Sequence, residues 1–174
     1  MPAEGERATT SRRALFARLL IVALLTYVLD QLTKVWAVAT LGDGIPRPLL
    51  GDQLRLILIR NPGAAFSIGN GSTWVMTLIA CAVLGIVIWA SRRIGSRVWA
   101  FALGLVLGGA LGNLTDRMIR EPGPGRGHVV DFIAYGQLFI GNVADIAIVG
   151  AAILIGWLSL RGVPLEGRSA AADE

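Results

Sequence analysis

Four aspartates (Asp30, Asp116, Asp131, Asp145), four amides (Gln31, Asn61, Asn113, Asn142) and two cations (Lys34, Arg117) stand in short polar blocks along an otherwise apolar chain. The blocks are Asp30-Gln31-Leu32-Thr33-Lys34, Asn61 to Phe66, Asn113-Leu114-Thr115-Asp116-Arg117, the single Asp131, and Asn142-Val143-Ala144-Asp145. Two carboxylates a few ångströms apart do not easily both ionise, so one keeps a proton while the other acts as a base. Such a pair activates water against an amide and protonates the departing nitrogen. Asp116 beside Arg117, and Asp30 one turn from Lys34, read as structural ion pairs, because buried charges need partners. Asp131 and Asp145 have no adjacent cation and are the better candidates for a shifted pKa and a reaction. Other chemistries fit less well. His128 is the only histidine and has no acid at ligand spacing on a helix, so neither a metal nor another cofactor is expected. Ser67 and Ser72 lack a partner base, Cys81 reads as a small core residue, and Lys34 would have to serve as a base beside Asp30.

The elements that must position these groups follow from composition. Hydrophobic residues make up 54% of 174, and the mean hydropathy is +0.63. That is the balance of a membrane protein, in which an ionisable group costs roughly 2.5 to 3.5 kcal/mol at the bilayer centre and persists where it pairs, lines a wet cavity or reacts. A single cysteine excludes a disulfide framework. Four stretches are long enough to span: Ala14 to Trp36, Thr73 to Ala90, Val98 to Asp116 and Val143 to Leu160. Arg7, Arg12, Arg13 and Arg18 flank the first span, Arg92, Arg93 and Arg97 fill the turn between the second and third, and Arg161 and Arg168 follow the fourth. By the positive-inside rule these ends are cytoplasmic. The net charge of +4 thus reports orientation and lipid contact; no nucleic-acid motif is present. Ser11-Arg12-Arg13 and Ala37-Val38-Ala39 resemble a cleavable signal, but Asp30, Gln31 and Lys34 intervene, so the first span is expected to stay.

Helix rise turns position into depth. At ~1.5 Å per residue, Asp30 lies ~25 Å beyond Arg13, Asp116 ~28 Å beyond Arg97, and Asp145 ~24 Å before Arg161. All three reach the outer leaflet. Asn113, Asp116 and Arg117 share a helical face, as do Asn142 and Asp145, and Lys34 can bond back to Asp30 or snorkel. Gly104, Gly108 and Gly112, with Gly109 beside them, form a small-residue stripe for close helix packing. In the first outer loop, Leu54 to Ile59 alternates as a short strand, bracketed by the turn residues Asn61-Pro62-Gly63 and Gly69-Asn70-Gly71. In the second, Glu121 to Gly127 reads as a mobile connector that lets His128 to Phe132 fold back over the membrane surface.

These blocks resemble the motif set of the lipoprotein signal peptidases, or signal peptidase II, the four-span aspartic peptidases of the bacterial inner membrane. Asp30-Gln-x-Thr-Lys34, Asn61-x-Gly-Ala-Ala-Phe66, Gly108-Gly-x-x-Gly-Asn-x-x-Asp-Arg117, Val129-Val-Asp-Phe132 and Asn142-Val-Ala-Asp145 resemble the five family blocks in order. The resemblance implies a catalytic dyad of Asp131 and Asp145, with Asn61, Asn113, Arg117 and Asn142 lining the substrate site and Asp30 and Lys34 supporting it. It implies cleavage of prolipoproteins just before a cysteine that carries diacylglycerol. Where the family usually has Phe before the fifth-block Asn and a small polar residue after its Asp, this chain has Gly141 and Ile146.

The expected fold is an all-α membrane protein with four transmembrane helices, a small outer β-element and both termini cytoplasmic. Residues 1–13 and 161–174 form cytoplasmic tails around a membrane peptidase domain, 14–160. The expected partners are lipid-modified prolipoproteins and membrane lipids, with no nucleic acid, and the protein is expected to be monomeric. Two non-enzymatic readings compete: a small transporter coupling a cation to Asp30, and a lipoprotein-binding scaffold.

Overall fold

A bilayer offers no water to the backbone, so spanning segments satisfy their N–H and C=O groups internally as helices. The computed structural model, which describes residues 4–63 and 73–167 with side chains from residue 12 onward, contains four such helices. They are α1 (Glu4–Thr40), α2 (Thr73–Ser91), α3 (Arg97–Ile119) and α4 (Val143–Leu160). Phe66, Ser67, Ser72 and the Gly69-Asn70-Gly71 turn lie outside the described residues, as do Arg168 and the side chain of Arg7.

α3 is the central element and packs against the other three helices. The glycine stripe makes this possible. A Cβ on Gly104 would stand 2.8 Å from the Leu19 carbonyl oxygen, and one on Gly109 would stand 2.8 Å from that of Ala144. One glycine face thus receives α1 and the other α4, at a separation only small residues permit. Half of the apolar window of α3 is buried, against 17% for α2 and for α4. The outward faces of those helices carry Leu78, Ile86, Val149 and Ile153, all exposed, as suits groups whose solvent is lipid. Cys81 belongs with them. The sequence reading places it in the core, but it is exposed, because in a membrane helix an apolar side chain gains as much from lipid as from protein.

Below the polar groups, Leu15, Leu19, Ala23, Val87, Ile94, Ala100, Leu103 and Leu107 form the helical core. Above them lies a four-stranded antiparallel sheet in the order β1 (Arg47–Leu50), β2 (Leu54–Asn61), β3 (Val129–Tyr135) and β4 (Phe139–Gly141). The alternating segment 54–59 does form a strand, β2. The expected small β-element is this sheet, in which the second loop adds β3 and β4 to the strand expected in the first. Val129 to Phe132 are buried on both faces, so this strand shows no alternation in sequence. Val130 and Phe132 pack on Ala37 and Leu41 at the end of α1, fixing the sheet to the bundle. The connector 121–127 is tied down by bonds from Gly127 N to Arg117 O, from His128 N to Glu121 O and from Thr77 Oγ1 to Gly125 O.

Candidate active site

Asp131 reaches the site from strand pairing. β2 and β3 align Ile59 with Asp131 and Asn61 with Val129, with an irregularity between Leu56 and Ile59. The Asn61 amide Nδ2 then donates to Asp131 Oδ2 at 2.7 Å. Asp145 arrives from a helix start. Asn142 is the N-cap of α4; its Oδ1 accepts from Asp145 N at 3.0 Å, and its own N–H donates to Asp145 Oδ2 at 3.0 Å. This reciprocal cap satisfies two otherwise unpaired backbone donors. Asn142 Nδ2 donates to Asp131 Oδ1 at 2.7 Å, so one residue touches both carboxylates. Asn113 Nδ2 donates to Asp145 Oδ1 at 3.0 Å, the remaining side-chain bond to the pair among the described residues.

Behind the amides lies a cation. Lys34 is fully buried, with Nζ 2.8 Å from Asp30 Oδ2, 2.9 Å from Asp116 Oδ2 and 2.9 Å from Asn113 Oδ1. Its three bonds match the three donors of an ammonium group. Asp30 also accepts from Ala144 N at the start of α4, and Asp116 from Val130 N in β3. Each carboxylate therefore anchors the segment that carries one of the other two aspartates. Gly112 allows Asp30 to sit there: a Cβ on Gly112 would collide with Asp30 Oδ2.

The sequence reading pairs Asp116 with Arg117, and the structure does not. Side chains one residue apart point in different directions around a helix. Asp116 pairs instead with Lys34 and, at 2.6 Å, with Arg120 one turn on. Arg117 donates to the carbonyl oxygens of Pro62 at 3.4 Å and Gly63 at 2.8 Å, holding the turn that follows Asn61. The expected return of Lys34 to Asp30 does occur.

A cavity of about 350 Å³ opens over the two acids, lined by Asn61, Asn113, Arg117, Asp131 and Asp145 on its polar side. Asn142, Asp30 and Lys34 are fully buried behind that wall. Apolar groups complete it, chiefly Met76, Ile79, Ala80 and Val83 of α2. Sequence reasoning missed this wall because the α2 residues that form it are all apolar, with no charge or amide among them to mark it. Burial and the nearby charge of Asp145 push the Asp131 carboxyl up to about 7, against the opposing bonds from Asn61 and Asn142. No group of three or more His, Cys, Asp or Glu among the described residues is placed to hold a metal ion.

The family profile described as signal peptidase (SPase) II matches residues 22–161, a stretch that holds all five polar blocks. The chain belongs to the signal peptidase II family. It is 48% identical over 179 residues to a lipoprotein signal peptidase of Mycobacterium avium, covering 100% of this chain and 98% of that one. A lipoprotein signal peptidase of Leifsonia xyli is 52% identical over 151 residues, 86% of this chain and 70% of the relative. Among solved structures, a bacterial membrane enzyme determined by the in meso method at 2.3 Å resolution superposes with a TM-score of 0.73 at 26% identity, covering 88% of this chain and 93% of that one. In this signal peptidase II the two departures from the family pattern fall differently. Ile146 is exposed on the outside of α4, away from the cavity. Gly141 lies against the site, where a Cβ would stand 2.8 Å from Asp145 Oδ2 and 3.2 Å from the Phe139 ring.

Proposed function

We propose that this signal peptidase II hydrolyses diacylglyceryl-modified prolipoproteins before the lipidated cysteine, with Asp131 and Asp145 as the catalytic pair. The observation that carries the assignment is that these two carboxylates face one cavity and, among the described residues, receive only amide and backbone N–H donors. One carboxyl of the pair keeps a proton and the other is ionised. The ionised member takes a proton from water as its oxygen bonds to the scissile carbonyl carbon, and the protonated member supports the carbonyl oxygen. Collapse of the tetrahedral species breaks the C–N bond, and a proton from the pair goes to the leaving amine, the new N-terminus of the lipidated cysteine. Asn61 and Asn113 hold the acids at the cavity wall, while Lys34, Asp30 and Asn142 support them from behind. The apolar wall from α2 suits a substrate that stays in the bilayer.

The clustering of arginines at the opposite end supports placing both termini in the cytoplasm and the acids at the outer face of the bacterial inner membrane. Residues 14–160 then form the membrane peptidase domain between two cytoplasmic tails, and the protein works as a monomer among membrane lipids. The buried pairing of Asp30 with Lys34 disfavours a cation-coupled transporter. A gel-shift assay with purified protein tests the reading, comparing lipidated and unlipidated precursors. Cleavage restricted to the lipidated form is the expected result; a folded preparation that cuts neither form would reject the assignment.

A further inference from the structure

At the end of the bundle remote from the aspartates, the start of α1 and the end of α2 enclose a hollow of about 430 Å³, framed by Arg12, Arg13 and Arg92. Its other walls are Phe16, Ala17, Leu20, Ser91 and Ile94. All three arginines are exposed, and none forms an ion pair with a described carboxylate. Other arginines at this end are engaged: Arg93 lies 4.8 Å over the Trp89 ring and Arg161 lies 5.4 Å over that of Trp157. The hollow therefore gathers, above an apolar strip, three guanidinium groups with no carboxylate partner among the described residues. Phe16 and Leu20, each almost half exposed, continue that strip along α1 toward the hydrocarbon. Phe16 is one turn below Arg12, and Leu20 one turn further, so the polar and apolar parts of the hollow are separated by ~6 to 12 Å along the helix.

We propose that this hollow binds an anionic phospholipid, with the phosphate bridged by Arg12, Arg13 and Arg92 and an acyl chain laid on Phe16 and Leu20. Charge complementarity selects the ligand. A guanidinium fork matches phosphate oxygens in a bidentate way, and basic pockets between spans hold acidic headgroups. A free phosphate would satisfy the arginines but leave the apolar strip unused; a zwitterionic lipid would use the strip but bring its own cation against three others.

Native mass spectrometry of the full chain in detergent tests this, with phosphatidylglycerol, phosphatidylcholine and inorganic phosphate added in turn. The unsubstituted protein is expected to retain phosphatidylglycerol over phosphatidylcholine and to be insensitive to millimolar phosphate. Equal retention of the two lipids, or displacement of phosphatidylglycerol by phosphate, would overturn the proposal without any variant. The double variant Arg13→Ala/Arg92→Ala is expected to bind phosphatidylglycerol about thirtyfold more weakly, in line with two basic groups at an acidic surface. Arg93→Ala/Arg161→Ala removes the same charge from the same end and is expected to bind as the parent does. An equal loss in both double variants would mean diffuse attraction, not a site.

Discussion

Lys34 sits between Asp30 and Asp116 at 2.8 and 2.9 Å, whereas the side chains of Asp131 and Asp145 are held by the amides of Asn61, Asn113 and Asn142. The four acids lie in one polar layer, and the difference lies in what neutralises them. An ammonium group within 3 Å pairs with a buried carboxylate directly and gives it a structural role. A neutral amide satisfies a lone pair without settling the charge, which leaves the carboxyl free to take and give a proton. Lys34 serves both sets through Asn113, whose Oδ1 it bonds while the amide nitrogen faces Asp145.

The comparison is broken most severely at the amide-held pair. Asp131→Asn or Asp145→Asn is expected to lower prolipoprotein cleavage at least ~10³-fold while the protein still folds and inserts, as general acid–base catalysis is worth ~10² to 10⁴. Turnover within tenfold of the parent in either variant would remove that aspartate from the pair. Lys34→Met leaves the buried Asp30 without a cation and Asp116 with Arg120 alone, and should cost ~3 to 5 kcal/mol, read as a fall in the thermal midpoint in detergent. Neutralising the set together as Asp30→Asn/Lys34→Met/Asp116→Asn should recover part of that loss. No recovery would mean that the charges, beyond their mutual satisfaction, are needed for folding.

Asn142→Ala removes a helix cap worth ~1 kcal/mol and the bond to Asp131. We expect kcat to fall ~10²-fold with less effect on KM, the pattern of misplaced proton donors and acceptors. A change confined to KM would assign Asn142 to substrate binding instead. pH separates the sets more gently. Asp131 titrates near 7 in the folded protein and near 3.9 when unfolded, so the native state holds a proton that the unfolded chain has released between those values. The contribution of Asp131 to stability is therefore full below about 4 and is lost as the pH rises to about 7. Thermal midpoints should fall across that window in the parent and more shallowly in Asp131→Asn; matching slopes would contradict the raised value. Smallest of all, Ile146→Ser changes a lipid-facing position and should leave cleavage within about twofold and stability within ~0.5 kcal/mol.

The helices were legible because span length and arginine placement are written in composition, and the outcome differs mainly in a longer α1. The polar residues that meet around the cavity were legible because polar groups in an apolar chain stand out. What escaped had no contrast to show. Apart from Asp131, β3 is apolar on both faces, the α2 wall is apolar throughout, and Cys81 sits in a run where inside and outside look alike. The partner of Asp116 escaped for a different reason: adjacency suggested Arg117, but Lys34 comes from another helix, brought close by the glycines of α3.

The cap on α4 also sets a polarity. Because Asn142 Oδ1 must receive the Asp145 backbone N–H, its amide nitrogen has no choice but to face Asp131. The helix start thus works as a gauge block, fixing which end of an otherwise symmetric-looking side chain meets the sheet and registering strand against helix at the spot where the two acids meet. Any loosening of the first turn of α4 would be felt at Asp131, a residue from a different element and a different loop.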